Sequence, residues 1–411
     1  MSRSAGVSGP VWARAAAAMF AVGWGANQFT ALIVGYREQG GVSVAVTQAL
    51  FGAYAVGLIP ALLVGGPASD RFGRRALARL AVGTSLAATI VLMSGVHSVP
   101  ALYVGRFLAG VASGAVFAPG TAWVKQLSVA PFDPSASEQD GARRAAIALS
   151  AGFGLGPLAA GLIAQWAQAP LVVCYVPHLV VVAVAAVLVW QVPETAGTST
   201  ASVWSGLRVR SVRSPRFRSI VVPAAPWVFL APSLGMAVLP GLVAARTHGL
   251  QLAFGGVVGG VTLGVGVLVQ PLARRLDSVD DVRGLTAGLG AIVGGCVLGA
   301  VAADTANPVV ALAATMLLGA GYGLVLVSGL LEVQRLVGPA ELAGLTAVFY
   351  AVTYLGFAAP LVLAELHRVA SYPTLLLGCA GLALLTAAWV LHRAPTTPTT
   401  AVSERSATLR A

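Results

Sequence analysis

Apolar residues come in long blocks along the chain. They cover about 12–35, 46–66, 76–96, 101–124, 145–168 and 171–191, then, after a polar stretch, 220–245, 250–273, 284–303, 308–333, 342–364 and 372–391. A helix needs about 20 residues to cross the hydrocarbon of a bilayer. The pattern predicts an all-α integral membrane protein with twelve transmembrane helices. The expected organisation is an N-terminal six-helix bundle over 1–191, a cytoplasmic linker over 192–219 and a C-terminal six-helix bundle over 220–393. The Thr-, Ser- and Pro-rich residues 394–411 are expected to form a disordered tail. The first block is longer than the apolar core of a signal peptide, so it is read as a retained span.

Composition narrows the class. Of 411 residues, 57% are hydrophobic and only 9% are charged, against roughly 25% in a soluble domain. Mean hydropathy is +0.85. A disordered chain and an ordinary cytosolic enzyme are both excluded. The net charge of +11 would suggest nucleic acid on a soluble protein, but no basic stripe lies on a foldable soluble domain, so no nucleic acid is expected.

The basic residues instead orient the chain. With the N-terminus inside, 21 of the 25 fall in cytoplasmic segments, three (Arg37, Arg246 and Arg368) fall outside, and Arg106 sits within a span. This split follows the positive-inside rule and predicts a multi-pass protein of the cell membrane with both termini cytoplasmic. Adding or dropping one span would scramble it. Arg208, Arg210, Arg213, Arg216 and Arg218 make the linker either a cationic segment on the membrane surface or a plain basic connection. The Ala/Val/Gly/Arg richness, with Lys125 the single lysine, has the character of a GC-rich, actinobacterial genome. Cys174, Cys296 and Cys379 each lie in an apolar run and match no metal or redox spacing.

Three segments carry a resemblance. The loop after the second span reads Gly66-Pro-Ala-Ser-Asp70-Arg71-Phe-Gly73-Arg74-Arg75. It resembles the G-x-x-x-D-R-x-G-R-R signature of the major facilitator superfamily, with Ala68 where that family often has Leu. Gly66 is expected to admit a neighbouring helix, Asp70 to accept from a helix N-terminus or an arginine, Gly73 to permit a tight turn, and the arginines to grip carboxylates or lipid phosphates. Arg106 followed by Gly110 in the fourth span resembles the family's second motif, with Ala109 in place of the usual glutamine. The resemblance implies a coupling role for Arg106; the other reading is an arginine snorkelling outward. The fifth span holds Gly152, Gly156, Pro157 and Gly161, which resemble the family's antiporter motif. Ala160 replaces one glycine, and Arg143 stands where a further glycine is usual. Gln270–Arg275 resembles a degenerate copy of the first loop motif, and Pro193-Glu194-Thr195 also looks like the family.

The resemblance implies a drug- or metabolite-exporter-like transporter, acting as a monomer on a small-molecule substrate and driven by a proton gradient, with no cofactor. Polar and aromatic residues at mid-span depth are candidates for the substrate site: Trp24, Asn27, Gln28, Tyr54 and His178 in the first half, Trp227, Tyr322, Tyr350 and Tyr354 in the second. Aromatics with few charges suit lipophilic organic compounds. No carboxylate lies at a span centre, which disfavours strongly cationic substrates and leaves a peripheral acid, His178 or a partner of Arg106 to take the proton. No phosphate-binding loop, metal cluster or hydrolytic triad is present in the sequence. Proton-coupled efflux is the expected activity. Uptake of a nutrient and a non-transporting scaffold or sensor are the alternatives.

Overall fold

The computed structural model describes residues 10–137, 140–195, 210–276 and 282–394. Arg3, Arg208, Arg405, Arg410, half of the linker and almost all of the tail lie outside them. Among the described residues, twelve helices are long and apolar enough to cross a membrane. Spans one to six are Val11–Glu38, Val44–Phe72, Arg74–Val96, Val99–Leu127, Asp140–Trp166 and Pro170–Trp190. Spans seven to twelve are Phe217–Arg246, Gln251–Leu276, Arg283–Thr305, Pro308–Leu336, Gly344–Leu366 and Tyr372–Arg393. Span seven starts earlier than its apolar run because Arg216, just ahead of it, is itself buried. The ends of the bundle are named here by charge: the basic end carries the Gly73 loop, and the far end carries Glu38 and Gly249.

Several spans that start at the far end begin on a side-chain cap. Ser43, Ser98, Asn307 and Ser371 accept from the backbone N–H of Val46, Ala101, Val309 and Thr374 respectively. Each cap satisfies a donor left over in the first turn and contributes about 1 kcal/mol.

Each half has its own core. One cluster of buried apolar side chains lies wholly within residues 15–192 and another wholly within 217–390. Two smaller clusters join the halves, one running from Phe29 to Leu252 and one from Ala26 to Tyr354. Burial separates inner from outer spans: 78% of the apolar window of span one is buried against 22% in span twelve. Span one therefore lines the centre of the molecule and span twelve faces lipid.

Lipid offers no hydrophobic drive for helix association, so close backbone packing must hold the spans together. Spans two and four interlock this way: a Cβ at Gly110 would stand 2.0 Å from the Tyr54 carbonyl oxygen, and one at Gly57 2.2 Å from that of Phe107. Helical geometry breaks at three places around the centre. Span one passes through a 3₁₀ segment at Gln28–Leu32, span seven through a π segment at Leu234–Val238, and span eleven through a 3₁₀ segment at Tyr354–Ala358. Such interruptions free backbone groups and concentrate at functional sites.

Candidate functional site

The halves meet at a group of aromatic rings. Tyr54 and Phe51 of span two pack on Phe357 of span eleven, with ring centroids 5.9 and 5.7 Å apart. Phe357 lies 5.0 Å from Phe229 of span seven, which stacks on Tyr354 at 4.3 Å. These rings line a central cavity together with Asn27, Phe153, Pro232, Met236, Leu263 and Tyr322. Its volume is about 30 Å³, room for a few waters at most. The rings have closed on one another, so an organic ligand must part them.

Of the nine candidate substrate residues, Asn27, Tyr54, Tyr322 and Tyr354 line this cavity. The other five lie elsewhere. Tyr350 sits one turn from Tyr354, with its ring centroid 6.5 Å away and Phe349 beside it. Trp24 packs edge-on against Phe20, and its backbone meets the glycines of span five. Trp227 donates from Nε1 to Thr386 of span twelve, away from the centre. Gln28 and His178 are both buried within the N-terminal half, each in contact with Thr89. The sequence reading missed Phe51, Phe229 and Phe357 because it favoured residues with a polar handle. The helical spacing of Phe357 from Tyr354 was the available signal.

Arg106 does not snorkel to the surface. It is 2% exposed and clamps two spans. Its Nη1 donates to the Ala26 carbonyl of span one at 2.9 Å and its Nε to the Leu50 carbonyl of span two at 3.2 Å. The guanidinium lies over the rings of Tyr54, Phe29 and Phe51 at 4.7, 5.0 and 5.8 Å. Carbonyl dipoles and ring faces thus replace a carboxylate partner. The Ala26 carbonyl belongs to the turn where span one leaves α geometry, so Arg106 holds the kink beside Asn27 and the ring of Tyr54.

The Gly73 loop shows a different logic from the one expected. The span-three helix begins at Arg74, and its first N–H groups are taken by Glu194: Arg74 N donates to Oε1 and Arg75 N to Oε2, both at 3.0 Å. A carboxylate at a helix N-terminus is favoured by the free donors and the helix dipole. Gly73 is required, since its φ is +96° and a Cβ there would stand 2.4 Å from Glu194 Oε2. Asp70 is exposed and pairs with Arg74 at 3.4 Å. Of the two partners expected for Asp70, the arginine is present as Arg74, and the helix N-terminus is occupied by Glu194. Arg71 lies over the Phe72 ring at 5.4 Å. Gly66 admits no helix: a Cβ there would meet nothing within 4 Å. The close approach falls on Gly65, where a Cβ would stand 2.9 Å from the Gly114 carbonyl oxygen.

The glycines of span five serve two contacts. Cβ atoms at Gly152 and Gly156 would stand 2.2 Å from Phe20 O and 2.6 Å from Trp24 O of span one. At Gly161 a Cβ would stand 2.5 Å from Leu252 O of span eight, across the seam, and Pro157 fills the space beside Gly259. The helix runs on through Pro157. Polar contacts reinforce the seam at the far end: Gln48 Nε2 to Ala237 O at 2.8 Å, Gln165 Nε2 to Gly249 O at 2.8 Å, and Gln251 Nε2 to Glu38 at 2.9 Å.

A fold of two six-helix halves around a shared aromatic centre agrees with the sequence. A model of the Major Facilitator Superfamily matches residues 15–360. The chain belongs to the Major Facilitator Superfamily. No curated protein matches it in sequence. Among solved structures it is similar to a POT family transporter in complex with 5-aminolevulinic acid, at 12% identity and TM-score 0.75, covering 94% of this chain and 96% of that one. It is similar to the nucleoside transporter NupG, at 13% identity and TM-score 0.73, covering 93% and 99%. It is also similar to the xylose transporter XylE from E. coli in an inward open conformation, at 14% identity and TM-score 0.69, covering 93% and 95%. At these identities the likeness shows a shared fold. The chain is a multi-pass membrane transporter of the superfamily.

Proposed function

We propose that this transporter exports a small, neutral, aromatic or lipophilic organic compound in exchange for protons. It acts as a monomer in the cell membrane, with both termini cytoplasmic. One observation carries the substrate class: the cavity between the halves is walled by aromatic rings from both, with an amide and three phenols and without a carboxylate or amine. A cationic substrate would need a buried acid there; a neutral ring system gains stacking and a few hydrogen bonds.

Alternating access has a physical basis in the seam. The far end is tied by the Gln48, Gln165 and Gln251 contacts. At mid-depth a cleft of about 330 Å³, lined by Ser150, Leu155, Val257 and Gly264, lies between spans five and eight. The ties support a state closed at the far end, which the charge split makes the outside. Export is supported by the resemblance of Gly152, Gly156, Pro157 and Gly161 to the antiporter motif. Uptake is the second reading, favoured by the likeness to a D-xylose-proton symporter at 16% identity.

Reconstitution with fixed orientation tests direction. A panel of neutral aromatic compounds is placed at equal concentration on both sides and an inward proton gradient imposed. Movement outward against the compound's own gradient is the expected result; movement inward with protons would establish uptake instead. Cysteines placed at Ser98 and Ser2 test orientation in sealed cells, where an impermeant reagent should label Ser98→Cys alone.

A further inference from the structure

Three polar side chains not used by the aromatic site meet inside the N-terminal half. Gln28 comes from span one, Thr89 from span three and His178 from span six, and all are buried. Gln28 Nε2 lies 3.1 Å from Thr89 Oγ1, Thr89 Oγ1 lies 2.8 Å from His178 Nδ1, and His178 Nε2 lies 2.9 Å from the Ala21 carbonyl oxygen. A carbonyl only accepts, so Nε2 carries a proton and donates. The neutral ring then has a bare Nδ1, which accepts from the Thr89 hydroxyl, and the hydroxyl oxygen accepts from the Gln28 amide. Every bond direction is fixed, and one atom is left over: Gln28 Oε1 is buried without a partner.

That spare acceptor is what the reversed chain requires. With a proton on Nδ1, the ring donates to Thr89 Oγ1, the Thr89 hydroxyl turns to donate, and the Gln28 amide turns to receive it on Oε1. One proton arrives from water and the imidazole becomes an imidazolium; no other group changes its protonation. The same side chains therefore support two hydrogen-bonded states of opposite polarity.

We propose that His178 accepts the coupled proton and that the Gln28–Thr89–His178 chain passes its state to the break in span one. The proposal rests on the proton-driven reading above. Gln28 opens the 3₁₀ segment of span one. Its neighbour Asn27 lines the central cavity, and the Ala26 carbonyl is the one held by Arg106. Reversal of the amide thus acts at the hinge between the proton site and the aromatic rings. The groups facing the imidazole are uncharged: Ala21 O, Gly25 and, through Thr89, Gln28 from span one; Ser85 and Thr89 from span three. The charged residues of those spans, Arg14, Arg37, Glu38, Arg74, Arg75 and Arg79, sit towards their ends. On its own element the ionisable residues within about a turn are Cys174 and Tyr175. Gly25 fits the ring closely, since a Cβ there would stand 2.8 Å from Cε1 and Nε2.

The test uses the full chain in liposomes, with nitrogen-labelled histidine rings and spin labels on cysteines replacing Gln39 and Leu250 at the far end. Between about pH 8 and about pH 5, where a histidine switch works, the His178 Nδ1 signal should change from bare to protonated; His178→Gln identifies that signal. Over the same range the distance between the labels should lengthen as the far end opens. This lengthening should be lost in His178→Gln and in Thr89→Val, which keeps the shape but removes the relay. Gln28→Met removes the acceptor of the reversed chain and should require about tenfold more protons for the change. A bare Nδ1 at every pH, or lengthening retained in His178→Gln, overturns the proposal alone. A wild-type chain whose label distance ignores pH overturns proton coupling as well.

Discussion

The two halves share a helical plan, and the fourth span of each shows where they diverge. Spans four and ten are both 29 residues long. In register, Trp123 and Gln126 of span four fall where Glu332 and Arg335 fall in span ten. Both pairs hold the chain that connects the halves. Trp123 Nε1 donates to Pro193 O and Gln126 accepts from Thr195, just after span six. Glu332 accepts from Arg216, just before span seven, at 2.7 Å, and from Arg335 at 2.9 Å. The linker is thus anchored at each side by the same register positions, once by neutral groups and once by buried charges. Nearer the far end the contrast reverses. Arg106 of span four is buried, and the matching residue of span ten is Thr315, which bonds its own helix at Leu312 O. The N-terminal half keeps its charge beside the cavity, and the C-terminal half keeps its charges at the linker.

The largest effect that this comparison predicts is at Glu332. Glu332→Ala removes the carboxylate that pairs with the 2%-exposed Arg216. Breaking a buried pair by removing one partner costs about 3–5 kcal/mol. The thermal midpoint of the purified protein should drop steeply, well beyond the drop in Trp123→Phe, which loses one neutral hydrogen bond worth about 0.5–1.5 kcal/mol. Equal losses would show that the two anchors do not differ in kind.

Next in size is Arg106→Lys. Lysine keeps the charge but lacks the planar fork that reaches two carbonyls on different spans. Loss of one charged hydrogen bond costs about 1.5–3 kcal/mol, so this variant should melt below wild type. Gradient-driven flux should fall further than equilibrium binding, because the kink beside Asn27 loses its clamp. Wild-type stability and flux would reduce Arg106 to an anchor. Thr315→Val, at the matching place in span ten, should change the melting point by less than either.

The sequence made the spans legible because twenty apolar residues between polar ends admit little else in a bilayer. Gly73, Gly110, Gly152 and Gly161 were legible too, since close backbone contact leaves a glycine with regular neighbours. Partners far apart in sequence were not legible. Glu194 looked like part of a loop signature, yet it caps span three. Arg216 was read as linker, and nothing in the sequence paired it with Glu332; only the fold brings them together. The ring cluster was half legible, because Phe229 and Phe357 carry no polar atom to distinguish them from lipid-facing phenylalanines. The burial of Arg106 was one of two readings, the other being an outward-snorkelling side chain; its partners were not legible, because they are backbone carbonyls and every residue has one.

The smallest predicted effect concerns how each half ties its fifth span to its first. In the C-terminal half Glu341 accepts from the backbone N–H and hydroxyl of Ser211. In the N-terminal half the loop before span five supplies Asp133, which pairs with Arg144 at 2.8 Å, while the Arg144 guanidinium lies 4.1 Å from the Trp12 ring centre. Hydrogen bonding from Arg144, then from Ser135, holds the Asp133 carboxyl below its ordinary value of 3.8. A depressed folded value means that the contribution is present above the unfolded value and disappears as pH falls through the folded one. The pair should therefore persist through neutral and mildly acidic solution and open only below about 3.9, the ordinary range of aspartate. Carbon-labelled aspartate spectra would follow the Asp133 carboxyl directly, and Arg144→Gln should raise its midpoint towards the ordinary value. Because the pair is partly exposed, salt should weaken it at every pH. A midpoint unmoved by Arg144→Gln would mean that Ser135 alone sets it, and the charged tie in the N-terminal half would then resemble the neutral-donor tie of Ser211 and Glu341.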